Sequence, residues 1–216
     1  MKRAFKKFFE DKFIFSRISG DSFEYEILEN AVKKLKNPVG SSFEIGVRRG
    51  QGSKIIIDSY RKFHPKINLI HIGLDPYGDL LYNFSEDFKN QPSDYTDKMK
   101  RITQYNFAKN YPEFNLVNLD TDEFFKRFND GYPIYNKQKK IIDKFELVHF
   151  DGLHDFKSVS QEVNYFLNHL SKQTIFIFDD IESFDIESIK LLLEKRNFKI
   201  FETGSQKMSF EYNFKD

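Results

Sequence analysis

Apolar residues follow two alternating rhythms from about residue 40 to the end of the chain. Short, nearly continuous apolar runs lie at Ser42–Val47, Ile67–Asp75, Phe114–Leu119, Phe145–Phe150 and Thr174–Phe178. Between them, at Gly52–Phe63, Tyr95–Asn110, Thr121–Asn129, Phe156–Leu170 and Phe184–Arg196, apolar positions return every three or four residues. The first rhythm predicts buried strands and the second amphipathic helices. Thr121 or Asp120 caps the third of those helices. Two further runs, Phe198–Glu202 and Met208–Phe214, are joined by Thr203-Gly204-Ser205-Gln206 and predict an antiparallel hairpin. Five strand–helix units closed by a hairpin predict a doubly wound, Rossmann-like α/β fold. Its sheet has seven strands, mostly parallel, with helices on both faces. Parallel strands covered on both faces read as continuous apolar runs, as these do.

The first forty residues are different. Phe5, Phe8, Phe9 and Phe13 recur at helical spacing, and a second helix is expected over Phe23–Leu35, before the break Asn37-Pro38-Val39-Gly40. Residues 1–40 therefore read as an N-terminal helical extension and 41–216 as the α/β domain. The Phe-rich helix has four open uses: packing on its own domain, capping a pocket, touching a membrane surface, or pairing two copies into a homodimer. The segments Pro76–Asp94 and Asp130–Lys144 exceed ordinary loop length and read as lids over a site or as plain insertions. Tyr77, Tyr82 and Phe84 in the first are candidates to line an acceptor pocket.

Composition narrows the classes. The 216 residues suffice for one sizeable core. Basic and acidic residues number 34 and 33, for a formal charge of +1, and they are scattered, so there is no footprint for nucleic acid. Cys is absent, which excludes disulfides, thiolate metal sites and a cysteine nucleophile, and fits a cytoplasmic setting. No apolar run reaches the roughly 18–20 residues of a membrane span. Charges at Lys6, Lys7, Glu10, Asp11 and Lys12 interrupt any signal-peptide core. The 26 Phe residues either fill the core where Leu would serve or form an aromatic platform.

Chemistry concentrates at strand ends, where open α/β sheets bind ligands. Phe43-Glu44-Ile45-Gly46-Val47-Arg48-Arg49-Gly50-Gln51-Gly52-Ser53 is a strand running through a glycine-rich turn into a helix, whose first N–H groups suit an anionic group. Its G-x-x-x-G-x-G spacing matches neither the dinucleotide fingerprint nor a Walker motif. Glu44 is an odd carboxylate in an apolar run; it accepts from a ligand ammonium or from a neighbouring amide. Asp75 ends the second strand, where an acid can accept from both hydroxyls of a ribose, although Asp is also a common turn residue. Phe150-Asp151-Gly152-Leu153-His154 and Asp179-Asp180 put three carboxylates at the ends of two more strands. Oxygen-only donors suit Mg²⁺ or another hard divalent cation. The plainer reading makes Asp179 and Asp180 a strand end and a helix cap. His149 and His71 read as satisfied core residues, and His64 and His169 as surface residues at helix ends.

Glu44-x-Gly46-x-x-x-Gly50-x-x-Ser53, a strand-end Asp75, Asp151-Gly-x-His154 and Asp179-Asp180 together resemble class I S-adenosylmethionine-dependent methyltransferases. The nearest group is the metal-dependent O-methyltransferases that include the macrocin-type sugar-modifying enzymes. The resemblance runs from about Ser42 to the C-terminus, and the terminal hairpin matches that fold's sixth and seventh strands. It implies that Glu44, Gly46, Gly50 and Ser53 cradle the methionine part of S-adenosylmethionine, that Asp75 holds the ribose and that Asp120 lies near the adenine. It also implies Mg²⁺ on Asp151, Asp179 and Asp180, and a small-molecule hydroxyl acceptor such as a sugar or catechol-like diol. The chain departs from the family at Ser171-Lys172-Gln173-Thr174, where a Gly-Gly turn is usual, on the edge away from the ligands. Methyl transfer to a hydroxyl requires alignment and removal of a proton; a metal would lower the hydroxyl pKa, with His154 as base or Asp151 in its place. Two other readings stay open: a metal-independent methyltransferase for another acceptor, and a nucleoside-binding module without catalysis.

Overall fold

The computed structural model describes residues 18–82, 91–92 and 95–213. The Phe-rich segment around Phe5–Phe13, and with it the uses considered for that helix, lies outside the described residues, as does Phe84. The chain enters through α1 (Glu26–Lys34) and then alternates: β1 (Ser41–Ile45), α2 (Gln51–Phe63), β2 (Ile70–Leu74), two short strands β3 (Leu81–Tyr82) and β4 (Gln91–Pro92), α3 (Asp97–Asn110), β5 (Phe114–Val117), α4 (Thr121–Arg127), β6 (Tyr132–Asn136), β7 (Gln138–Ile142), β8 (Phe145–Phe150), α5 (Phe156–Leu167), β9 (Leu170–Phe178), α6 (Ile186–Glu194), β10 (Phe198–Thr203) and β11 (Met208–Tyr212). Seven strands form one sheet in the order β10-β11-β9-β8-β1-β2-β5. β1 pairs in parallel with β2 and β8, while β11 runs antiparallel to both β9 and β10. The expected fold class is the observed one.

Alternation within the inner strands assigns side chains to the two faces. Val148, Phe176 and Phe178 join Phe124 of α4, Val163 and Phe166 of α5 and Ile189 and Leu193 of α6 in one apolar cluster. Leu147, Ile175 and Ile177 point the other way, onto Leu28 and Val32 of α1, Ile56 and Tyr60 of α2 and Phe107 of α3. Phenylalanine fills the first cluster through edge contacts: the Phe43 ring meets those of Phe124, Phe145 and Phe166 at centroid distances of 5.1, 5.4 and 4.9 Å. Caps fix the helix starts, with Thr96, Asp120, Asp155 and Asp185 each accepting from a backbone N–H three residues on.

Three expectations on loops are corrected. Asp130–Lys144 is the β-hairpin β6–β7, turning at a left-handed Lys137. It follows the far end of α4 and leads into β8, so it sits at the edge away from the strands' carboxyl ends and is no lid over them. Pro76–Asp94 carries the short β3–β4 pair rather than a bare loop. Ser171–Thr174 is part of β9 as a bulge: pairing with β8 jumps from Phe145↔Leu170 to Leu147↔Ile175. Thr174 Oγ1 satisfies the bulge by donating to the Phe145 carbonyl at 2.8 Å and accepting from Ser171 N at 2.9 Å.

Residues 18–25 run along the carboxyl edge of the sheet before α1 begins. Ser19 bridges to Gly50, Asp21 pairs with Arg48 at 2.6 Å, and Glu24 accepts from Ser205 N, Gln206 N and Lys207 N at 2.7, 2.9 and 3.0 Å. Those backbone donors hold the Glu24 carboxyl down to about 2. The β10–β11 turn is thereby clamped beside the ends of β8 and β9. No described helix is long and apolar enough to cross a membrane.

Candidate active site

The turn after β1 approaches its neighbours closely. Gly46 has φ +82°, and a Cβ there would stand 1.7 Å from the Asp151 carbonyl oxygen. Gly50, at φ +84°, is the N-cap of α2 and offers no side-chain cap, leaving the first N–H groups of the helix to a ligand or solvent. Arg48 is also left-handed, at φ +49°. Its carbonyl is secured by the hydroxyl of Tyr77 and by Thr103 Oγ1. Tyr77, considered for an acceptor pocket, is thus buried in the support of this turn; the side chain of Tyr82 lies outside what the structure describes. Gly46→Ala should cost at least about 2 kcal/mol, from roughly 1–2 kcal/mol of left-handed strain plus the backbone clash. Thermal melting should show it as a loss of at least about 4 °C.

Asp75 lies directly beneath the turn. It is fully buried, and one oxygen accepts from Arg48 N at 2.7 Å. The other, Oδ1, has no partner. Burial pushes the carboxyl up to about 7, against the pull of the Arg48 and Val47 amides and with the charges of Glu44 and Asp151 adding to the rise. An unpaired buried acceptor beside a glycine turn fits a ligand that brings hydroxyl donors. Asp120, past the end of β5 on the same edge, spends Oδ1 on capping α4, accepting from Glu123 N at 2.8 Å.

Glu44 faces the interior. Parallel pairing of β1 and β8 sets it opposite His149, whose Nδ1 lies 3.0 Å from Oε1. Its Oε2 accepts from the Ser53 hydroxyl, and Ser53 Oγ also bonds His71 Nε2 at 2.9 Å. His71 Nδ1 ends the chain on Ser42 Oγ at 2.8 Å. Burial opposes the Glu44 charge, but both histidines outweigh it and hold its carboxyl down to about 2. The Ser53 hydroxyl and the Glu44 carboxylate are therefore engaged with each other rather than with the turn. Gly52 makes room for them, since a Cβ there would sit 2.0 Å from Glu44 Oε1. His71 is the satisfied core residue expected; His149 is fully buried with Nε2 unpartnered. His169, expected at the surface, is buried with Nδ1 2.8 Å from the Asp143 carbonyl.

The ends of β8 and β9 bring Asp151, His154, Asp179 and Asp180 together. His154 Nδ1 lies 2.8 Å from Asp180 Oδ2, and its Nε2 stands 3.7 Å from Asp151 Oδ1 without a hydrogen-bond partner. Burial disfavours the imidazolium, yet the Asp151 carboxylate, with Asp180 and Asp179, raises its pKa above the ordinary 6.5. Burial pushes Asp151 up to about 6 despite the opposing pull of His154 and His149. Asp179 is different from the other two. Its Oδ1 accepts from the Ser22 hydroxyl at 3.0 Å and from Asp180 N at 2.9 Å, and its Oδ2 pairs with the ammonium of Lys207. Burial alone would raise the Asp179 carboxyl; His149, Lys207 and Ser22 lower it instead. Polar atoms of Glu44, His149 and Asp151 also lie within 4.8 Å of one another.

Sequence reasoning missed Lys207, Ser22 and Glu24. The signal available was a lysine opening the apolar run Lys207-Met208-Ser209-Phe210; its partners Ser22 and Glu24 lie more than 180 residues earlier.

A sequence profile for a methyltransferase domain matches residues 43–181. No curated protein matches the chain by sequence. Among solved structures, the O-methyltransferase NovP is 14% identical at TM-score 0.59, covering 88% of this chain and 79% of its own. The calicheamicin methyltransferase CalS11 is 15% identical at 0.55, covering 88% and 77%. The Bacillus cereus O-methyltransferase in complex with SAH is 11% identical at 0.56, covering 90% and 82%. At these identities the likeness is one of fold; the profile match spans well over half of the chain, from the strand before the glycine turn to the residue after Asp180. The chain belongs to the methyltransferase-domain family and is a class I S-adenosylmethionine-dependent methyltransferase.

Proposed function

We propose that this enzyme methylates a hydroxyl of a small molecule, a sugar or a catechol-like diol, with His154 as the base. The observation that carries the reading is the His154 imidazole, with Nδ1 2.8 Å from the Asp180 carboxylate and Nε2 free of any hydrogen-bond partner, on the edge that also holds Asp75. Bound S-adenosylmethionine would supply an electrophilic methyl group on a sulfonium. Gly46 and Gly50 would let the backbone approach its methionine part, with the first N–H groups of α2, through Ser53, at the carboxylate. Asp75 would accept from the ribose hydroxyls and Asp120 would flank the adenine. Glu44 would act from behind, holding Ser53 and His149 in place.

An acceptor hydroxyl at Nε2 would pass its proton there, because a hydrogen on Nδ1, the ring nitrogen 2.8 Å from the Asp180 carboxylate, would leave the lone pair on Nε2. Asp151, 3.7 Å from Nε2, would stabilise the imidazolium that forms. Three aspartates sharing Mg²⁺ do not fit the arrangement as built, since Asp179 Oδ1 already accepts from Ser22 and the Asp180 amide and Oδ2 is ion-paired with the Lys207 ammonium. No step is therefore routed through a metal. The near-neutral charge supports a small acceptor over a nucleic acid.

The test is turnover of methyl-labelled S-adenosylmethionine against a panel of sugars and catechols, with and without EDTA. The expected result is a methyl ether formed equally in both. SAH binding with no product across the panel would overturn the hydroxyl-acceptor reading, and loss of product in EDTA would restore the metal.

A further inference from the structure

Lys207 is fully buried, and its ammonium meets a carboxylate, a hydroxyl and an aromatic ring. It pairs with Asp179 Oδ2, donates to the Ser22 hydroxyl and lies 5.3 Å from the centroid of the Tyr25 ring. Ser22 in turn donates to Asp179 Oδ1 at 3.0 Å, which closes a three-membered circuit. The backbone is held as firmly: Lys207 N donates to Glu24 Oε2 at 3.0 Å, beside the Ser205 and Gln206 donors to the same carboxylate. The segment 18–25 and the terminal hairpin thus deliver one positive charge to the end of β9.

A hard divalent cation needs carboxylate oxygens converging on one point at about 2.0–2.6 Å. Asp179 has none to offer without expelling the ammonium, because the two positive charges would compete for the same oxygen. We propose that Lys207 takes the place of a divalent cation in this site: its ammonium neutralises Asp179, and the anchored Asp179 positions Asp180 toward His154 without a bound metal. Asp180 is left-handed, at φ +46°, and its N–H donates to Asp179 Oδ1 at 2.9 Å. In that conformation its carboxylate reaches His154 Nδ1 at 2.8 Å. Lys207 is therefore a positioning residue, acting through Asp179 and Asp180, and its link to catalysis rests on the proposed role of His154.

Mn²⁺ is the probe. Free Mn²⁺ is followed by electron paramagnetic resonance during titration of the full chain, of Lys207→Met and of Lys207→Met/Asp179→Asn. The double variant removes both buried charges and so leaves no unpaired one if the single variant fails to fold. The wild-type chain should leave Mn²⁺ free up to millimolar concentrations. Folded Lys207→Met should take up about one ion per chain at least tenfold more tightly, and the double variant should lose that uptake. In the double variant the ring-nitrogen NMR signals of His154 should shift while those of His71 stay, an effect that general loosening would not confine to one ring. Micromolar Mn²⁺ binding by the wild-type chain, lost in Asp180→Asn, would overturn the proposal. So would a folded Lys207→Met that takes up no ion, or a double variant whose His154 signals do not move. None of these readouts needs an acceptor, so failure of the acceptor panel would leave them intact.

Discussion

Asp75→Ala should weaken binding of SAH by about 100-fold or more, with the fold intact. The carboxylate is fully buried, one oxygen pinned by the Arg48 amide and the other unpaired. Two ribose hydroxyls donating to it would form charge-assisted bonds of about 1.5–3 kcal/mol each. Losing both is at least about 3 kcal/mol, and each 1.4 kcal/mol is roughly tenfold in affinity. The same residue gives binding a pH dependence of definite sign. Burial sets its carboxyl at about 7 in the free protein. Hydroxyl donors favour the ionised form, so the bound pKa falls below the free one and binding releases a proton between the two. Affinity should therefore rise about tenfold per pH unit up to 7 and level off above it. Titration calorimetry with SAH from pH 5.5 to 8, in two buffers of different ionisation enthalpy, measures both the slope and the proton. An affinity that is flat across this range and unchanged in Asp75→Ala would remove the ribose from this residue.

The fold was legible because buried parallel strands and amphipathic helices carry their periods in local sequence. Phe145–Phe150 is buried at every position, as are its neighbour Ser41–Ile45 and the last five residues of β9. The β6–β7 hairpin escaped because Gln138-Lys139-Lys140 is exposed on both faces, which leaves no apolar alternation to read. The bulge in β9 escaped because Thr174 and Ser171 satisfy it through side-chain hydrogen bonds, without the Gly or Pro that mark a turn. In the site, strand-end acids were legible from topology, since any open parallel sheet gathers them on one edge. Glu44 and His149 were each visible as a polar residue in an apolar run. Only the β1–β8 register, a tertiary fact, joins them. Lys207 was illegible for a stronger reason. Its setting depends on Ser22, Glu24 and Tyr25, brought up by a segment more than 180 residues away, and no local pattern encodes that contact.

His154→Ala should lower kcat by about a thousandfold and leave the dissociation constant for SAH within a factor of two. A positioned general base contributes roughly 10²–10⁴ in rate, and His154 is proposed to meet the acceptor rather than the cofactor. The pH–rate profile separates this role from a structural one. The base must be unprotonated, and its carboxylate neighbours outweigh burial to raise its pKa above 6.5. The acid limb of kcat should therefore lie above the ordinary histidine value, with the rate rising as pH increases through it. Asp180→Asn removes one of the charges that favour the imidazolium, so the limb should move to lower pH. Its kcat should also fall, because the carboxylate 2.8 Å from Nδ1 no longer stabilises the imidazolium formed on proton transfer. A residue that merely supported the loop would lower the melting temperature and leave the limb where it was. If His154→Ala retains kcat within a few-fold while Asp151→Asn abolishes it, the proton goes to Asp151. That carboxyl, already lifted to about 6 by burial, stands 3.7 Å from Nε2 with a pKa raised toward the working range of a base.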